Sequence, residues 1–220
     1  MTLAESLETT LQSLPETVTL IAVSKTRTSD EILKMYQAGQ RDFGENKVQE
    51  MVQKQEILPK DIQWHQIGHL QKNKVKYIAP FVHLIHSVDS TDLMETIEKE
   101  AVKNNRTLSV LLQVKIAQED TKFGLFFDEA LNILQEKKSG KFPHVSIEGF
   151  MGMASFTDNQ KQVKEEFSSL HTFFTQYKEE FNLHILSMGM SDDYPIAIEC
   201  GSNMVRIGTK LFGARDYTTI

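Results

Sequence analysis

The chain has 220 residues, 40% of them hydrophobic, and carries a formal charge of −6 at neutral pH. That length can bury one sizeable core, and the acidic balance argues against a general nucleic-acid binder. No apolar run approaches the roughly 20 residues that span a bilayer, the first residues lack the layout of a signal peptide, and the single cysteine, Cys200, has no internal disulfide partner; a cytoplasmic protein is expected, with Cys200 packed as a small side chain.

The first dozen residues read as a helix outside the main fold. A strand is expected over 19–24, followed by a capping box at Thr28-Ser29-Asp30-Glu31 that opens a helix to about Ala38. Further strands are expected over 41–44, 62–67 and 82–87. Ser90 can cap a helix over 91–103, ahead of strands over 108–116 and 147–153. Val163, Phe167, Leu170, Phe174 and Phe181 recur at near-helical spacing, so 161–181 should bury one face. The last strands are expected over 184–188 and 204–207. Strands alternating with helices imply parallel βαβ pairing, and eight of them predict a compact α/β fold, a single (β/α)8 barrel spanning 1–220 with an extra N-terminal helix.

Lys25 closes the first strand, and Arg206 sits inside the last. If the barrel closes, these strands are neighbours and the two cations share one mouth. Active sites of such barrels lie at the C-terminal strand ends, where Lys25 falls. A lysine there is ordinarily a solvated charge. Partial burial beside a second cation favours the neutral amine that imine formation needs. The pair suits a carbonyl cofactor bearing a phosphate.

Alternation puts Met204, Arg206 and Gly208 on one face of the last strand. A charge inside an apolar strand needs a partner, either a carboxylate such as Glu199 or a ring nitrogen of the cofactor. Gly189 and Ser191 after the seventh strand, with Gly208 and Thr209 after the eighth, suit a phosphate: glycine lets the backbone approach and the hydroxyls donate. Small residues also turn tight corners, a reading stronger for either segment alone.

Asn46, at the end of Phe43-Gly44-Glu45-Asn46, can reach the same mouth, while Glu45 can cap the following helix. His65 and His69 invite a metal, but they lack a helix and a third ligand, so no metal is expected. His83 and His86 read as strand residues, Met151, Met153, Met188 and Met190 as core or pocket lining, and Lys72, Lys74 and Lys76 as a solvated helix face.

Together, the segments 21–25, 43–46, 64–71, 86–89, 186–192 and 205–215 resemble the signature blocks of the pyridoxal-phosphate homeostasis proteins, in order across nearly the whole chain. The resemblance implies a fold-type III barrel related to the N-terminal domain of alanine racemase, with pyridoxal 5′-phosphate (PLP) held on Lys25 as an internal aldimine. It further implies Arg206 at the pyridine nitrogen, Ser191, Gly208 and Thr209 at the phosphate, and Asn46 beside the ring. Asn203 stands where the family commonly has Thr, and Arg27-Thr28 replaces a frequent Lys-Pro. Lys122 and Gly124 keep a Lys-x-Gly pattern, with the role of Lys122 open.

Two functions use Lys25 equally: a PLP carrier in vitamin B6 homeostasis and a PLP-dependent amino-acid racemase. Alanine racemases add a C-terminal β-domain with catalytic residues, whereas this sequence stops at Ile220, and Tyr217 in the tail is a poor place for a positioned acid or base. An arginine at the ring nitrogen also leaves that nitrogen unprotonated and weakens the ring as an electron sink. The carrier is expected, with PLP and PLP-dependent apo-enzymes as partners, no nucleic acid or membrane, and a monomer or weak homodimer.

Overall fold

The structure, a computed structural model, describes residues 2–118 and 123–213. Eight parallel strands close in sequence order: β1 (Thr19–Val23), β2 (Asp42–Glu45), β3 (Gln63–Gln66), β4 (Leu84–Val88), β5 (Leu108–Val114), β6 (Val145–Gly152), β7 (Ile185–Ser187) and β8 (Met204–Ile207). Closure is made by β1 against β8, from Thr19 opposite Met204 to Ala22 opposite Ile207. The predicted (β/α)8 barrel is the observed one.

Helix α1 (Leu3–Gln12) packs outside the barrel against α2 (Ser29–Gln37) and α9 (Thr209–Phe212). The Thr28–Glu31 capping box forms as predicted: the Glu31 N–H donates to Thr28 Oγ1 and the Thr28 N–H to Glu31 Oε2. The remaining helices are α3 (Val48–Ile57), α4 (Val75–Ile78), α5 (Thr91–Lys103), α6 (Phe127–Lys138), α7 (Gln160–Phe181) and α8 (Tyr194–Glu199), with a 3-10 turn at Lys72–Lys74. No helix among the described residues is long and apolar enough to cross a membrane.

Alternation along the strands sorts side chains into two layers. Ile21, Leu84, Leu111, Met151 and Met204 pack together as one apolar cluster, while their strand neighbours Leu20, Ala22, Ile85, Val110, Leu112, Phe150 and Val205 join the larger core beneath the helices. Asp42, His65, His86, Ser187 and Arg206 form a second, polar group, linked to one another across five strands. One backbone approach depends on glycine: a Cβ on Gly149, at φ +155, would lie 1.8 Å from the Ile185 carbonyl oxygen, so only glycine lets β6 and β7 meet there.

Candidate functional site

Lys25 sits in the turn that follows β1, at the C-terminal mouth, and is partly buried. Buried chemistry clamps the backbone on either side of it. Lys54, projecting from α3, donates to the Ser24 carbonyl (2.8 Å), to Glu45 Oε1 (2.7 Å) and to Glu50 Oε1 (2.7 Å). Ser24 Oγ donates to the same Glu45 oxygen at 2.6 Å, and Glu50 accepts the Thr26 N–H at 2.6 Å. Thr26 adopts φ +65, an unusual conformation for a β-branched residue, and the bond to Glu50 holds it there. Burial, opposed by Lys54, pushes the Glu45 carboxyl up to about 7. Glu45 therefore does not cap the next helix; the N-cap of α3 is Lys47, without a side-chain cap.

Arg206 is buried, and its cation is met by neutral acceptors. It donates to Ser187 Oγ (2.7 Å), the Ser187 carbonyl (2.9 Å) and the Gly152 carbonyl (3.2 Å), where β6 and β7 end. Desolvation depresses its pKa to about 10, so it stays protonated at neutral pH, with Asp193 supplying a compensating negative field. Glu199, the carboxylate nominated from sequence, pairs instead with Lys164 at 3.3 Å.

Through Ser187 the arginine joins a chain that crosses the barrel. Ser187 Oγ lies 3.2 Å from His86 Nδ1, His86 Nε2 lies 2.9 Å from His65 Nδ1, and His65 Nε2 lies 3.0 Å from Asp42 Oδ1 at the start of β2. Burial, with His65 and Arg206 close by, holds the His86 pKa well below the usual histidine range, so this ring is neutral. A buried guanidinium at one end is thereby linked by hydrogen bonds to a carboxylate at the other.

Two loops meet beside Arg206. The Gly208 N–H donates to Ser191 Oγ at 3.3 Å, joining the segments after β7 and β8, and Thr209 follows, exposed, as the first residue of α9. Gly189 adopts φ +94, where a Cβ would strike Tyr194 and Ala197; its carbonyl accepts the Arg206 backbone N–H at 3.0 Å. Asn46 follows β2, partly buried, its carbonyl held by Gln66 Nε2 at 3.0 Å. Met151 and Met188 are fully buried, Met153 is partly buried, and Met190 is exposed.

His65 and His69 are not brought together: His69 pairs with Asp89 at 3.1 Å and stacks on Phe123. Cys200 is buried, 3.5 Å from Ser168 Oγ. Lys122 and Tyr217 lie outside the described residues. What sequence spacing missed are the partners supplied by other strands and helices: Lys54 and Glu50 below Lys25, and Ser187, His86 and Asp42 beyond Arg206. The one available signal was the density of polar residues in nominally buried strands. A cavity of about 290 Å³ between α6, β6 and α7, lined by Lys137, Glu148 and His184 among others, is built from the opposite end of β6 and takes no part in this mouth.

The family model for the N-terminal domain of alanine racemase matches residues 2–216. A pyridoxal phosphate homeostasis protein from Pasteurella multocida is 40% identical over 91% of this chain and 88% of its own length; the one from Escherichia coli K12 is 36% identical over 93% and 88%. The chain belongs to the pyridoxal phosphate homeostasis protein family. The structure of PipY, the COG0325 family member of Synechococcus elongatus PCC7942, with PLP bound superposes with a TM-score of 0.85 at 35% identity, covering 96% of this chain and 100% of that one. Alanine racemase from Clostridium difficile 630 shares the fold alone with this homeostasis-family chain, at 16% identity and a TM-score of 0.78 over 58% of its length.

Proposed function

We propose that this chain is a cytoplasmic PLP-binding protein of vitamin B6 homeostasis, a single domain that holds the cofactor as a Schiff base on Lys25 and gives it up to PLP-dependent apo-enzymes. The PLP-bound relative, similar over 96% of this chain, carries the proposal. The local chemistry fits the group. Arg206 spends three hydrogen bonds on protein acceptors, and a guanidinium has five N–H donors, so it retains capacity for a ring nitrogen. Ser191 and Gly208 meet through a hydrogen bond and Thr209 follows in sequence, so these three would hold the phosphate, with Asn46 on the ring's side.

PLP supplies an electrophilic aldehyde and an electron-withdrawing ring. The residues decide how much of that is used. A protonated guanidinium can only donate, so the ring nitrogen facing Arg206 has to accept and stays unprotonated. The site is therefore built to hold the cofactor more than to stabilise carbanions. The Glu50–Lys54–Glu45 clamp orients the backbone on both sides of Lys25, and the apolar cluster of Ile21, Leu84, Leu111, Met151 and Met204 helps fill the barrel.

The test is a visible spectrum of the purified protein followed by borohydride reduction and peptide mapping. A phosphopyridoxyl group on Lys25 is expected, lost in Lys25→Ala with the barrel still folded. A stable adduct exclusively on another lysine, Lys122 being the first to check, would overturn the assignment. With common amino acids in deuterium oxide, no sustained exchange at Cα or racemisation is expected. Turnover that disappears in Lys25→Ala would make the chain a racemase instead.

A further inference from the structure

The opposite end of the barrel holds a second convergence of donors. Asp42 opens β2, His65 lies in β3 and His83 immediately precedes β4, so consecutive strands deliver one ligand atom each. His65 Nε2 and Asp42 Oδ1 are 3.0 Å apart, the His65 and His83 rings lie 5.3 Å apart between centroids, and the three donor atoms fall within 4.8 Å of one another. Ligands around a tetrahedral zinc stand about 3.3 Å apart when each bond is about 2.0–2.1 Å. Reaching that spacing requires His83, exposed at the rim, to move toward the other two. Among the described residues, no other three His, Cys, Asp or Glu side chains converge in this way.

We propose that Asp42, His65 and His83 bind a zinc ion, with the fourth position open to water, at the end of the barrel opposite Lys25. Two imidazoles and one carboxylate suit Zn²⁺ and do not suit Mg²⁺ or Ca²⁺, which take oxygen ligands. The site also has the outer support that metal-bound histidines use: His65 Nδ1 is tied to His86 Nε2 at 2.9 Å, which fixes the ring and aims Nε2 at Asp42. Arg106 and Glu148 also face His83, with opposite signs. Arg106 is bonded to the Ala79 and Val82 carbonyls, and Glu148 to His184 and Ser109.

Occupancy would be recorded in the barrel itself. With His65 neutral and no cation bound, the 3.0 Å contact has His65 Nε2–H donating to Asp42 and His65 Nδ1 accepting from His86 Nε2–H. With zinc on Nε2, the His65 proton sits on Nδ1 and is donated to His86 Nε2. His86 then carries its proton on Nδ1, facing Ser187 Oγ, the atom that Arg206 also bonds. Each imidazole keeps one proton; only the direction of the chain reverses. The inference does not depend on the cofactor reading, because its ligands and its readout are separate from Lys25.

The experiment is calorimetric titration of ZnCl2 into chelator-treated full-length protein, with Co²⁺ visible bands as a second probe. One equivalent is expected, with low-micromolar or tighter affinity, weakened at least tenfold in both His83→Ala and Asp42→Asn. His69→Ala and His144→Ala should leave it unchanged, since His69 pairs with Asp89 and His144 with Glu98, apart from the three proposed ligands. Zinc binding that survives His83→Ala, or that falls equally in His69→Ala, overturns the site. Nitrogen-15 spectra should show the His86 proton moving from Nε2 to Nδ1 on zinc addition, and an Nε2–H retained on His65 in the loaded protein would also overturn it. His83→Ala changes a rim side chain, so it keeps the test decisive should Asp42→Asn fail to fold.

Discussion

Ser191 and Thr209, the proposed phosphate hydroxyls, can test whether anchoring of a phosphate is separate from recognition of a ring. Both carry a hydroxyl at the junction of the β7 and β8 loops, yet their situations differ: Ser191 Oγ already accepts the Gly208 N–H at 3.3 Å, whereas Thr209 is exposed. Losing a hydrogen bond to a charged group costs about 1.5–3 kcal/mol, roughly tenfold to a hundredfold in affinity. Thr209→Val should pay that cost in full. Ser191→Ala should fall near tenfold, because it releases the Gly208 N–H, which can take over the anion. Both variants should weaken PLP binding more than pyridoxal binding in fluorescence titrations. Equal losses for the two ligands would mean that neither hydroxyl touches phosphate.

At the scale of elements, β2 and α3 meet in the Glu45–Lys54–Glu50 group, and its titration should be visible in stability. The Glu45 carboxyl is raised from an ordinary 4.5 to about 7 in the folded chain, so the folded state binds that proton more tightly than the unfolded one. Its contribution is therefore complete below about pH 4.5, is lost as pH rises to about 7, and is constant above that; the span is on the order of 3 kcal/mol. Urea midpoints for Glu45→Gln should gain on wild type across that window, and parallel profiles would show that Glu45 does not titrate there. The network also marks where sequence reading ends. The strand pattern was legible because parallel barrel strands are buried on both faces and appear as apolar runs, and α2, α5 and α7 because capping residues or helical spacing announce them. Helix α3 carries a weak pattern, with Gln, Glu and Lys at most positions, and α8 and α9 are too short for periodicity. Lys25 and Arg206 were legible as strand-end cations. Their partners were not, since Lys54 reaches Ser24 across thirty residues and Ser187 reaches His86 across a hundred and one, distances that only strand order and register resolve.

Closure of the whole barrel rests on its thinnest seam. β7 has three residues and shares a single paired position with β8, Ser187 opposite Met204, and side chains supply what the ladder lacks. Asn203 accepts the Leu186 N–H at 2.8 Å and donates to the His184 carbonyl, while Ser202 Oγ lies within 2.8–3.0 Å of the Leu186, Met188 and Met204 carbonyls. Arg206 adds its bonds to Ser187 on the same line. Asn203 thus ties β7 to the turn before β8 with both halves of its amide. Asn203→Ala would leave the buried Leu186 N–H without that acceptor, a loss of about 1–3 kcal/mol. Because β7 also carries Ser187, and its following loop Gly189 and Ser191, loosening it should weaken PLP binding without touching any residue proposed to hold the phosphate. Hydrogen exchange at the Leu186 amide should accelerate in the variant while the β5–β6 ladder, paired from Leu108 to Val114, keeps its protection. Unchanged exchange at Leu186 would show that the short ladder closes the barrel without Asn203, and a uniform rise across β5 and β6 would assign the effect to global destabilisation instead.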